Sequence, residues 1–329
     1  MGAHTHGHSH SHGTTTHQGE HAAPGNGHAH GHSHGHGHDH THDSIDWATQ
    51  IGHLRREDAM AADAQAQIAQ RLIGLLTGTG AQPVVMDIGA GAGGQSAAFA
   101  RELAARGGGR LIIADAVSEL LDAARATTAA ALGGDNRVSI ETVLVDAAAD
   151  SVLDAVSQAD LVWASRMVHH LPDQQAGTDR LAKLVRTGGW LALAEGGLPL
   201  RCLPWDLGVG TAGLQDRLLA VRDEFFGRMR AEITGTVPMP YGWGTALTRA
   251  GLTEVSSFSV LTDQPTATPE VRESVTNWLD GLRNRMSDNI TADDRKALDL
   301  LLDPAADTYI GARDDIFLLG ATTIHLGRR

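Results

Sequence analysis

The residues best suited to chemistry fall at the ends of short apolar runs. Asp87-Ile88-Gly89-Ala90-Gly91-Ala92-Gly93-Gly94 follows one such run and opens an Ala-rich helical stretch. Glycines there let the backbone turn sharply and let a ligand come close, and free N–H groups at a helix start favour negative charge. Asp115 ends the next apolar run, where a carboxylate can accept both hydroxyl protons of a ribose. Asp87, two residues before the first glycine, can accept from an ammonium, and Asp146 beside Ala147 suits an adenine amino group. Both a dinucleotide and a sulfonium amino acid carry an adenine-bearing ribose, so either fits this pattern.

Further candidates follow in the chain. His169 and His170 lie just after a later apolar run, as a general base or as metal ligands, and Glu195 ends the run after that, as a carboxylate base or substrate anchor. Trp205, Phe225, Phe226, Tyr241 and Trp243 could wall an apolar pocket, Phe225 being the one better read as core. Fifteen of the nineteen histidines precede Asp43. His4, His6, His8, His10 and His12 alternate with small residues, as do His28, His30, His32, His34, His36, His38, His40 and His42. That spacing puts imidazoles on one side of an extended chain, and without cysteine nearby such sites suit Zn, Ni, Cu or Co.

The elements that must hold these groups are legible from periodicity. Residues 1–43 contain no aromatic, Leu, Ile or Val and are expected to be a disordered, metal-binding tail. Asp43 or Ser44 can cap an amphipathic helix running to Thr77-Gly78, broken once, that covers the site from 44 to 78. After Pro83, apolar runs alternate with helical patterns: VVMDIG, LIIADA, VSIETVLVDA, DLVWASR and WLALAEGG. Continuously apolar strands separated by helices imply a parallel sheet covered on both faces. A segment over 196–245 is expected to form a lid, and 266–305 a helical insertion before the last strand. TEVSSFSV, ended by a polar turn at Thr262 to Pro265, and DIFLLGATTIHLG complete seven strands, with an antiparallel pair at one edge.

Composition narrows the classes. A net charge of −13 without a basic tract excludes a nucleic-acid backbone as partner. One cysteine, Cys202, rules out an internal disulfide framework and fits a reducing compartment. No apolar run reaches the roughly 18 residues of a membrane span, and no secretory signal opens the chain, so a cytoplasmic protein is expected.

Taken together, DIGAGAGG at 87–94, the acid Asp115, VDA at 145–147, DLVWASRMVHHLPD at 160–173, LVRTGGWLALAE at 184–195 and RAGLTEV at 249–255 resemble the class I S-adenosylmethionine-dependent methyltransferases. The resemblance implies a Rossmann-like, doubly wound sheet with an antiparallel last strand. It implies that Gly89, Ala90 and Gly91 pack on the methionine part of the cofactor, that Asp115 binds ribose, that Asp146 and Ala147 hold adenine, and that Ser165 and Arg166 line the pocket. Ala116 followed by Val117 departs from the bulkier apolar residue usual there, which thins the adenine wall. Arg55 or Arg56 would reach the cofactor carboxylate if the first helix folds over the site. The expected activity is in-line methyl transfer to a small-molecule acceptor, with a divalent transition metal and a second copy of the chain as further partners. A nicotinamide-dependent oxidoreductase, or a metal-handling protein on a non-catalytic fold, are the alternatives.

Overall fold

In the computed structural model, residues 47–76 and 82–329 are described. The tail histidines, the expected cap at Asp43 or Ser44 and the helix end at Thr77-Gly78 lie outside the described residues. The elements in chain order are α1 (Trp47–Met60), α2 (Ala62–Gly74), β1 (Val84–Ile88), α3 (Gly94–Ala105), β2 (Gly109–Asp115), α4 (Ser118–Leu132), β3 (Val138–Leu144), α5 (Val152–Ala155) and β4 (Ala159–Ser165). After a 3-10 turn at Val168–His170 come α6 (Gln174–Leu184), β5 (Val185–Arg201), α7 (Leu214–Glu232), α8 (Trp243–Arg249), β6 (Thr253–Gln264), α9 (Pro269–Arg285), α10 (Ala292–Leu302) and β7 (Leu318–Arg328), with a second 3-10 turn at Ile310–Ala312.

The seven strands pair in the order β3-β2-β1-β4-β5-β7-β6. β1 to β5 run parallel, and β7 is antiparallel to both of its neighbours. This is the parallel sheet with an antiparallel edge that the alternating pattern predicts, in the Rossmann-like form that the resemblance implies. Both faces are apolar because successive residues of one strand serve opposite layers. Val85, Leu111, Ile113, Leu161 and Trp163 pack with α2 and α3 on one side. Val84, Met86, Ile112, Ala114, Val162 and Ala164 pack with Leu181 of α6 and Leu247 of α8 on the other. Strand order reverses between β1 and β4, and the crevice beyond their C-terminal ends is where such sheets take ligands.

Two strand ends differ from the sequence reading. β5 was expected to stop at Gly197 and runs on to Arg201; β6 was expected to turn at Thr262 and runs on to Gln264. The cause is β7 between them, whose backbone offers bonds to both sides: Ala321 pairs with Leu198 and with Leu261. Register shifts at Ala194/Gly197 and Leu198/Arg201 let β5 bend and continue. Gly197 is at φ 123, and a Cβ there would strike the Ala321 carbonyl. Pairing extends these strands where hydrophobicity does not.

The expected break in the first helix falls at Ala61, between α1 and α2. α2 buries Ala64, Ile68, Ala69, Leu72 and Ile73, whereas no described side chain of α1 is fully buried. The two later insertions share one core: Cys202, Leu203, Leu214 and Leu218 pack with Val271, Val275, Leu279 and Leu282 of α9 and Leu298 and Leu301 of α10. Among the described residues no helix is long and apolar enough to cross a membrane.

Because that core is common to both insertions, Leu279→Ala should cost about 2–5 kcal/mol, the range for emptying a buried leucine site. Hydrogen exchange measured by mass spectrometry should then quicken in α7 and in α9–α10 together.

Candidate functional site

The glycine loop is shaped by backbone geometry first. Gly89, Gly91 and Gly93 sit at φ 71, 56 and 89, a region that L-residues with a Cβ seldom adopt. The Gly89 N–H donates to the Ala114 carbonyl at 2.8 Å, tying the loop to the end of β2. A Cβ on Gly93 would press into the Ala124 backbone of α4. Gly94 has an ordinary φ, so its reason is different: a Cβ there would collide with the carboxyl group of Asp58.

Carboxylates close around this loop. Asp115 accepts from the Gly91 N–H at 3.1 Å through Oδ2 and from the Val117 N–H at 3.0 Å through Oδ1. Asp58, on α1, accepts from the Gly94 N–H at 3.1 Å and from Gln65 Nε2 at 2.8 Å. Asp87 is 2% exposed and takes a 2.5 Å bond from Ser96 Oγ. Burial, with Asp115 and Asp58 nearby, pushes its carboxyl up to about 7. Burial likewise raises Asp115 and Asp58, against the lowering effect of their hydrogen bonds. Donors that would bind pyrophosphate are therefore engaged by the protein's own carboxylates. The surroundings favour a ligand that brings positive charge.

Around this centre the remaining expected residues fall as follows. Asp146 Oδ1 accepts from the Ala148 N–H at 2.7 Å, shaping the turn after β3 beside buried Ala147. Ala116 is exposed and Val117 half-buried. Ser165 ends β4; Arg166 follows at φ 49, its N–H bonded to Ala194 O at 3.0 Å and its guanidinium 3.8 Å from Glu57.

Glu195 is 2% exposed and sits under the turn at Val168–His170. It accepts from the Met167 N–H at 3.1 Å and the Val168 N–H at 2.9 Å through one oxygen, and contacts His169 Nδ1 at 2.6 Å through the other. His169 and His170 lie ring to ring, centroids 4.1 Å apart, with the Phe226 ring edge-on to both. Arg230 of α7 donates to the carbonyls of His169 and Leu171. Of the other aromatics, Phe225 joins the core of the insertions, Trp243 packs below the sheet, Tyr241 bonds Gln175, and Trp205 is 68% exposed. Cys202 is buried, its thiol pushed up to about 12 by that burial, and serves packing. Among the described residues no group of three or more His, Cys, Asp or Glu side chains is placed to hold a metal.

α1 reaches the site, though through residues other than the expected arginines. Arg55 is exposed, and Arg56 pairs with Glu273 of α9 at 3.4 Å. Glu57 and Asp58 are the residues that touch the site loops. Asp58 escapes sequence reading because its partner lies 36 residues away. The one local sign is a fourth glycine, Gly94, where the turn needs only three.

Residues 86–191 match the family model described as a methyltransferase domain. No curated protein matches the chain. Among solved structures, a Bacillus halodurans C-125 protein provisionally named a methyltransferase shares 17% identity over 79% of this chain and 97% of its own, with a TM-score of 0.43. Magnesium protoporphyrin IX methyltransferase from Synechocystis PCC 6803, with S-adenosylhomocysteine bound, shares 14% over 83% and 86% (TM-score 0.41). Haemonchus contortus phosphoethanolamine N-methyltransferase 2 shares 13% over 87% and 60% (TM-score 0.40).

Asp87 sets a stability signature. Burial pushes its carboxyl up from 3.8 to about 7, so between about pH 4 and pH 7 unfolding releases a proton. The ligand-free protein should lose stability as pH rises from about 4 to 7, by up to roughly 4 kcal/mol from this group, and then level off. Asp87→Asn should flatten that profile in urea unfolding at pH 5, 6, 7 and 8. Equal slopes in the two proteins would show that Asp87 does not carry the proton.

Proposed function

We propose that this chain is a class I methyltransferase and carries out S-adenosylmethionine-dependent methyl transfer to a small-molecule acceptor. What carries the cofactor choice is the set of carboxylates about the glycine loop. Asp58, Asp87 and Asp115 converge there, and the Gly91 and Gly94 N–H groups are already spent on two of them. A pyrophosphate would meet engaged donors and like charge; a ligand bearing ammonium and sulfonium would meet neither. The nicotinamide alternative is disfavoured on that ground.

The residues that would hold the cofactor are those of the crevice. Asp87 takes the ammonium, directly or through water, with Gly89, Ala90 and Gly91 against the methionine part. Asp115 takes the ribose hydroxyls on the lone pairs that its Gly91 and Val117 bonds leave free, beside Ala116. Asp146 and Ala147 take adenine, and Ser165 and Arg166 line the wall after β4. When bound, S-adenosylmethionine supplies a methyl group on a positively charged sulfur. The protein supplies alignment and exclusion of water. The segments 196–245 and 266–305 form the acceptor-side lid through their common core, and 44–78 covers the cofactor side. His169, His170 and Glu195 lie on the acceptor side, where Phe226 adds an apolar wall.

We further propose that the tail histidines, outside the described residues, bind Zn, Ni, Cu or Co as an appendage to this domain. Imidazole lone pairs suit these ions.

Calorimetry should show S-adenosylmethionine and its demethylated product binding in the micromolar range and NAD not binding; NAD binding alone would overturn the assignment. Asp115→Ala should weaken cofactor binding by roughly 1.5–3 kcal/mol, the scale of charge-assisted bonds lost from one partner. Deleting Met1 to Thr41 should remove most Ni or Zn binding and leave cofactor affinity unchanged. In the intact protein that metal binding should fall between about pH 7 and pH 5, because an imidazole of pKa near 6.5 must lose its proton to ligate.

A further inference from the structure

Glu195 and His169 form a pair whose geometry exceeds what holding a turn requires. Two backbone N–H bonds from Met167 and Val168 would satisfy a cap, yet the second carboxylate oxygen of Glu195 turns to His169 Nδ1 at 2.6 Å. A carboxylate oxygen accepts, so Nδ1 must be the donor, and the neutral ring then carries its lone pair on Nε2. Glu195 is buried while the His169 side chain is 24% exposed, so the pair has a fixed inner end and an open outer one.

Three contacts aim this open end. Met167, two residues earlier, lies against Gly89, where an added Cβ would sit 3.0 Å from its Cγ, so the turn abuts the glycine loop. Arg230 Nη1 clamps the His169 carbonyl at 2.9 Å and the Leu171 carbonyl at 2.6 Å from the lid side. The Phe226 ring stands edge-on to His169 at 5.5 Å and is itself 37% exposed. An imidazole held in one tautomer between the cofactor loop and an aromatic wall is built to take a proton from a flat acceptor.

The need for such a base discriminates among acceptors. A neutral amine attacks with its own lone pair and can lose its proton afterwards, and a carboxylate needs no base. A phenolic hydroxyl, with a pKa of about 10, is almost wholly protonated at neutral pH and a poor nucleophile until the proton leaves. Resting on the S-adenosylmethionine reading above, we propose that the acceptor is an aromatic hydroxyl lodged against Phe226, with His169 as its general base and Glu195 as the positioning residue. The O–H proton passes to His169 Nε2 while an oxygen electron pair forms the new O–CH3 bond. The C–S bond breaks, its pair stays on sulfur, and the sulfonium becomes a neutral thioether. Glu195 stabilises the resulting imidazolium, which returns its proton to water.

4-Nitrophenol, whose anion absorbs visible light, tests the pair without turnover. In the full-length protein saturated with S-adenosylhomocysteine, bound 4-nitrophenol should be more ionised than the free compound at the same pH. His169→Asn should remove that shift, and Glu195→Gln should reduce it, since Gln brings no charge and its single oxygen cannot serve both the Met167 and Val168 N–H groups and His169 Nδ1. With S-adenosylmethionine, His169→Asn should lower methylation of phenol about 10²–10⁴-fold, the usual reach of general-base catalysis. The loss on phenol should exceed that on 4-nitrophenol at pH 8 at least tenfold, because the latter arrives ionised. Equal losses on the two phenols, no spectral shift in the wild-type protein, or cofactor binding with transfer to neither phenol would each overturn the proposal. The wild-type spectrum decides it even if the variants fold poorly. Absence of cofactor binding in calorimetry would bring down the underlying reading instead.

Discussion

Carboxylates bound to backbone N–H groups hold the C-terminal edge of the sheet in shape. Asp115 takes Gly91 and Val117, Asp58 takes Gly94, Asp146 takes Ala148, and Glu195 takes Met167 and Val168. Loops at a topological switch point have no ladder partners of their own, and a buried N–H without an acceptor is expensive. Here the glycine loop and the turn at Met167–Val168 are given acids from another strand end or helix, and the turn after β3 uses its own Asp146. The loops are thereby preorganised, and the crevice is acidic before any ligand enters it. That charge selects against anions at a glycine loop whose helix N-terminus would ordinarily attract them.

Keeping several acids near one loop has a cost that the fold partly offsets. Ser96 donates to Asp87, Gln65 donates to Asp58, and backbone donors serve Asp115, yet burial still raises all three carboxyls. With its carboxyl raised to about 7, Asp87 would release a proton on meeting a cationic ligand. A cationic ligand would recover what burial took away, so affinity and ligand-free stability draw on the same residue in opposite directions.

The covering elements attach to this edge unequally. α2 is fixed by the core through Leu72 and Ile73, whereas α1 adds to the packing of half-buried Met60 the polar contacts of three consecutive residues. Arg56 meets Glu273 of α9, Glu57 meets Arg166 after β4, and Asp58 meets Gly94 of the glycine loop. Solvent-exposed pairs of this kind are each weak, while the Asp58 bond at a helix start is better shielded. On the opposite side the two insertions form a packed body with a core of its own, and Arg230 carries its position to the His169 turn.

Local rules determined much of this in the sequence. Glycines at positive φ, acids closing apolar runs, and runs continuous enough for two-sided burial are consequences of near-neighbour sterics and periodicity, so the glycine loop, Asp87, Asp115, Asp146, the strands and the break in the first helix were readable without coordinates. Tertiary structure decided what depends on partners far along the chain. Asp58 meets Gly94 across 36 residues, and Glu195 meets His169 across 26. The ends of β5 and β6 follow β7 and not their own hydrophobicity, and two insertions separated by α8 and β6 close over a single core. Periodicity reports which face of an element is buried. It carries no information on which distant element buries it, because that choice is made by packing and pairing among whole elements.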